Sequence, residues 1–109
     1  MSVSFLSRKS TTDLTCCRYR RSPRVLVTLQ GDEAVLFDTA RDRYFTLNGV
    51  GTCVWAALEQ PSTLADLVAV VCREYDVPRE DRDVRVARDV GDLLAQLNAA
   101  CLIVAEPLA

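Results

Sequence analysis

The spacing of apolar residues changes once along this chain, from short and alternating to helical. Arg24–Leu29 (RVLVTL) is rich in β-branched residues and alternates weakly, which predicts a strand. Gln30-Gly31-Asp32 supplies a turn, and Glu33–Thr39 (EAVLFDT) predicts a second strand. A polar hairpin connection over residues 39–42 leads to a third, Arg43–Leu47 (RYFTL). In that strand Tyr44 and Thr46 share one face while Phe45 and Leu47 share the other. Three consecutive strands with short turns form an antiparallel meander.

Behind Asn48, a plausible helix cap, the period lengthens. Val50, Cys53, Val54, Ala57 and Leu58 fall at helical spacing, with Trp55 off the stripe, and Gln60-Pro61-Ser62 ends the helix. The next helix is the clearest element. Thr63 with Asp66 resembles a capping box, and Leu64, Leu67, Val68, Val71, Cys72 and Tyr75 form its apolar stripe. Asp76-Val77-Pro78 stops it, because proline lacks a donor and disfavours helix before itself. After a charged linker, Glu80–Asp83, the third helix runs from Asp83 to Ala99 with Val86, Val90, Leu93, Leu94 and Leu97 inward. Its interior glycine, Gly91, suggests close packing or a partner against the helix. Cys101–Val104 (CLIV) is a short apolar end that packs under the helices or pairs with a strand. The expected fold class is α+β: a three-stranded antiparallel sheet followed by three helices.

Length and charge refine this picture. The 109 residues, half of them apolar, suffice for one core. Residues 1–24 hold six basic groups and one acidic, a net of +5; the rest holds seven basic and fourteen acidic, a net of −7. Residues 1–23 are therefore expected to form a basic, flexible N-terminal extension, with the domain spanning 24–109. An acidic body suits DNA phosphates poorly, so no nucleic-acid partner is expected. No secretory signal or membrane-length apolar run is read.

The candidate chemistry is sparse. Histidine is absent, which removes the commonest general base and metal ligand, and the single lysine, Lys9, lies in the extension. The five cysteines form no C-x-x-C pair; three of them lie in amphipathic segments and read as small buried hydrophobes, in a reducing, cytoplasmic setting. Asp38 and Asp42 read as turn residues, and Asp81, Asp83, Asp89 and Asp92 as favourable charges near a helix start. No calcium loop, phosphate loop or dinucleotide fingerprint is present. The expectation is a chain without catalytic residues, metal or cofactor, working through a surface groove. The third strand has an open edge beside helices. Such an edge accepts an extended peptide by strand addition, or is blunted by Arg41, Asp42 and Arg43; physics alone leaves both open.

One ordered set of residues resembles the PqqD family, also called the RiPP recognition element. It runs Val35-Leu36-Phe37-Asp38, Arg43-Tyr44-Phe45-Thr46-Leu47-Asn48, Gly51, Trp55, Pro61-Ser62-Thr63-Leu64, Glu74-Tyr75-Asp76-Val77, then Asp89-Val90 and Leu93-Leu94 with Leu97. The resemblance covers roughly residues 24–105. It implies a winged-helix-turn-helix-like domain with no activity alone, which holds the leader segment of a ribosomally made precursor peptide as a strand against the third strand. Carried over by position, Arg43, Tyr44, Phe45, Thr46 and Leu47 supply the edge, and Arg85, Val86, Asp89, Val90 and Leu93 the opposite wall. The implied partners are that leader plus a separate cysteine leader protease and an ATP-dependent cyclase, as in lasso-peptide biosynthesis. The alternative is a radical enzyme, as in pyrroloquinoline quinone biosynthesis. Two competing readings are a winged-helix DNA binder and a purely structural subunit.

Overall fold

The structure, a computed structural model, describes residues 17–78, 80 and 82–108. Among the described residues, six strands and three helices follow one another as β1 Cys17–Arg21, β2 Val25–Gln30, β3 Glu33–Asp38, β4 Arg43–Asn48, α1 Gly49–Ala57, β5 Ser62–Thr63, α2 Leu64–Tyr75, α3 Ala87–Ala99 and β6 Ile103–Pro107. A π-helical turn, Arg82–Val86, runs directly into α3.

The meander expected from alternation is β2-β3-β4, antiparallel throughout, with Leu36 set between Val27 and Phe45. At the tight β2–β3 turn Gly31 takes a φ of 65°, a left-handed conformation that glycine adopts without strain. Between β3 and β4 the left-handed residue is Asp42, with a φ of 56°. The α+β class and the three helices agree with the expectation. A second three-stranded sheet, β5-β1-β6, does not figure in it.

That second sheet corrects the expected boundary at residue 24. Cys17–Arg21 is no extension: it pairs antiparallel with Ile103–Pro107 along its whole length, and with Ser62 and Thr63 on its other side. Tyr19 is 1% exposed and belongs to the core. Arg21 donates from Nε and a terminal nitrogen to the Trp55 carbonyl, at 3.0 and 2.6 Å, and its guanidinium lies 5.1 Å from the Trp55 ring centre. α1 has no basic residue in its last turn. Arg21 supplies the cation that satisfies its terminal carbonyls. Residues 1–16 of the expected extension lie outside the described residues.

α2 packs against both α1 and α3, and the layers meet in one core of Tyr19, Leu36, Val54, Trp55, Leu58, Leu67, Val71, Leu94, Leu97 and Leu102 among others. The capping box at α2 forms as expected: the Asp66 amide donates to Thr63 Oγ1 at 3.1 Å, and the Thr63 amide to Asp66 Oδ2 at 3.0 Å. α2 ends where Asp76 turns left-handed.

Three local expectations need correction and one, the start of the third helix, is refined. Asn48 sits at the cap position of α1 but its side chain makes no cap bond. Instead Thr52 Oγ1 donates back to the Leu47 carbonyl at 3.1 Å. Val50 and Tyr75, placed on apolar stripes, are exposed at the stripe margins, whereas Trp55, off the stripe, is core. The helical run read from about Asp83 opens at Arg82 as the π turn and continues as α3 from Ala87, with an already helical backbone at Val86 and no side-chain cap. At Gly91 a Cβ would meet nothing within 4 Å, so close packing does not explain that glycine. Among the described residues, no helix is long and apolar enough to cross a membrane.

Candidate functional site

β4 is an edge strand. It pairs with β3 on one side, and among the described residues no strand pairs with its other side. Its alternation is the one read from the sequence: Leu47 is buried and Phe45 half-buried, while Tyr44 and Thr46 are exposed. Tyr44, 70% exposed, is steadied on the outer face by Phe37, whose ring centre lies 4.7 Å away.

Arg43 ties this edge to the third helix. It donates to the Ala100 carbonyl just past α3 at 3.1 Å, stands 3.6 Å from Asp38 Oδ2, and lies over the Phe45 ring at 5.1 Å. Asp38 anchors the arrangement from below, accepting the Ala40 and Arg41 amides on Oδ1. Burial pushes the Asp38 carboxyl up. The two amides, with Arg41 and Arg43, outweigh burial and hold it below the usual carboxylate range. Arg43 therefore fixes the strand's start against the end of α3 rather than blocking the edge along its length.

On α3, Val90 is fully buried beside Leu94 and Leu97, so its side chain is core and not groove lining. The same correction applies to the Leu47 side chain, although its backbone stays on the edge strand. The reason is helical geometry: a stripe at spacings of three and four points inward at its centre and reaches the surface only at its margins. Those margins are Val86 and Leu93, half-buried and packed against the same core as Phe45. Arg85 and Asp89 are exposed. Of the ten expected site residues, eight thus keep side-chain surface, and Leu47 and Val90 have next to none.

A cavity of about 800 Å³ lies elsewhere, between the β2–β3 turn (Gly31, Asp32), α1 (Thr52, Cys53) and α2 (Glu74, Tyr75). None of the expected site residues lines it. Desolvation pushes the Cys53 thiol and the Tyr75 hydroxyl up, and Glu74 adds to both. A thiol shifted that way is no poised nucleophile. Among the described residues no group of His, Cys, Asp and Glu is placed to hold a metal ion.

Comparison with known proteins gives the same picture. The family profile of "Coenzyme PQQ synthesis protein D (PqqD)" matches residues 33–103. Curated protein sequences yield no match. Two solved structures are similar. One is TbiB1 in complex with the TbiA(beta) leader peptide, 32% identical, covering 77% of this chain and 93% of that one, with a TM-score of 0.66. The other is a lasso peptide synthetase B1 complexed with its leader peptide, 24% identical, covering 79% and 96%, with a TM-score of 0.64; at that identity it speaks for the fold alone. With the profile matched over more than half its length, on a fold with the expected edge strand, this chain belongs to the PqqD family.

Proposed function

We propose that this protein binds the leader segment of a ribosomally made precursor peptide, taken up as an added strand on the open edge of β4. The observation that carries the reading is that edge itself: a strand whose outer side meets no other strand among the described residues, with half-buried Phe45, Val86 and Leu93 at the margin of one core. Main-chain bonds along Arg43–Asn48 give affinity, and apolar leader residues settle at those margins. Arg85 and Asp89 read polar groups of the leader. The similarity to TbiB1, itself solved with a leader peptide, supports the reading.

This reading assigns no chemical step to the chain. It presents its peptide in the cytoplasm to separate enzymes, a cysteine leader protease and an ATP-dependent cyclase of the lasso type. The lasso-type enzymes are carried over from the family resemblance; the likeness to TbiB1 supports the leader peptide as the partner they share with the radical-enzyme alternative. A DNA-reading role fits less well, because Arg85 on the π turn and Arg88 on α3 are mixed with Asp89 and Asp92 among the described residues.

Fluorescence anisotropy with a labelled leader from the precursor encoded beside this gene tests it. Binding at roughly micromolar or tighter is expected, with at least about tenfold loss in Leu93→Asp while circular dichroism stays unchanged. A companion variant, Val86→Asp, guards against misfolding of the first. Absence of leader binding, with tight salt-sensitive binding to duplex DNA instead, contradicts the proposal.

A further inference from the structure

β2 is the other edge of the β2-β3-β4 sheet, and it is built differently from β4. It pairs with β3 residue for residue, and among the described residues no strand pairs with its far side. Beyond Val25, which packs against the core, the strand is exposed: Leu26 is 60% exposed, Val27 40% and Leu29 69%, and these side chains alternate between the two sheet faces. Edge strands ordinarily carry a charge, a proline or a bulge that discourages pairing. Val25–Gln30 (VLVTLQ) carries neither charge nor proline, and its register with β3 is unbroken by a bulge.

We infer that β2 is a self-association edge, filled by the β2 strand of a second copy of this chain, antiparallel about a two-fold axis. Such an axis brings the same surface to itself, so the strand must be complementary to its own reverse. This one is. Centred on Val27, the pairing sets Val25 of one copy against Leu29 of the other on the inner face, and Leu26 against Thr28 on the outer face. No like charges meet within the strand, and apolar side chains otherwise left in water are covered on both faces. The joined sheet runs β4-β3-β2-β2-β3-β4 and leaves both β4 edges outermost. It is therefore compatible with one leader on each copy; that consequence rests on the proposed function, whereas the self-association does not. A single six-residue strand pair buries little area, so the dimer is weak, on the order of micromolar.

Sedimentation velocity of the full, reduced chain over roughly 1 to 300 μM tests the inference. The apparent mass is expected to rise from 12.1 kDa toward twice that value. Leu29→Lys, and independently Leu26→Lys, are expected to remain folded, monomeric at every concentration and unchanged in leader affinity, since both side chains project largely into solvent. A wild-type chain that stays monomeric throughout overturns the inference, as does a dimer that both variants retain. Monomeric protein with β2 amides protected from hydrogen exchange also overturns it, because another segment of the chain then covers the edge.

Discussion

Asp38 shows how one residue holds the β4 edge in place. Its carboxylate is buried at the end of β3, accepts two amides of the β3–β4 turn, and lies 3.6 Å from both Arg41 and Arg43. From sequence it reads as an ordinary turn aspartate, because its second partner set lies across the hairpin and only folding reveals its burial. Its depressed pKa fixes the sign of a pH effect. The stabilisation is complete above the unfolded value, about 3.9, and disappears as pH falls through the lower folded value. Asp38→Asn is therefore expected to melt below wild type at pH 7, with the gap closing as pH falls below about 4. Thermal melts of the two proteins from neutral to acid pH check this; a gap that stays constant contradicts it.

At the scale of elements, local signals were legible and distant ones were not. The capping box of α2 spans three residues, so Thr63 and Asp66 announce it in the sequence, and both of its bonds form. Thr63→Ala is expected to lower stability by about 1 kcal/mol in denaturant titrations, with the fold and leader affinity retained. Asn48 carries the same kind of signal and fails, because the chain enters α1 straight from β4 and Thr52 makes the neighbouring bond instead. β1 was invisible for a different reason. In Cys17–Arg21 (CRYRR) only Tyr19 is core, and the charged residues around it look like a tail. The partner that makes it a strand is β6, at the far end of the chain; Arg20 meets Glu106 across 86 positions of sequence. That exposed ion pair adds little energy, so pairing and Tyr19 burial hold the strand. Helical periodicity placed the inner face of α3 correctly yet could not separate its buried centre, Val90, from its margins, Val86 and Leu93.

For the molecule as a whole, pairing β1 with β6 makes a single cooperative unit. β1 lies between β5 and β6, contributes Tyr19 to the common core and caps α1 through Arg21. A chain beginning at residue 24 is expected to lose its sharp thermal transition, since it leaves a core cavity and two strands unpaired. A cooperative melt of that fragment close to the full-length one contradicts this. Among the described residues no strand joins the outer side of β4, because β1 and β6 pair in the second sheet. Amide hydrogen exchange, resolved residue by residue with and without the leader peptide, tests strand addition most directly. Saturating leader is expected to protect alternate amides of Arg43–Asn48, with side-chain contacts felt at Val86 and Leu93 and no change around the Cys53–Tyr75 cavity. Protection gathered at that cavity, or a bound leader that leaves β4 amides exchanging as before, contradicts the account.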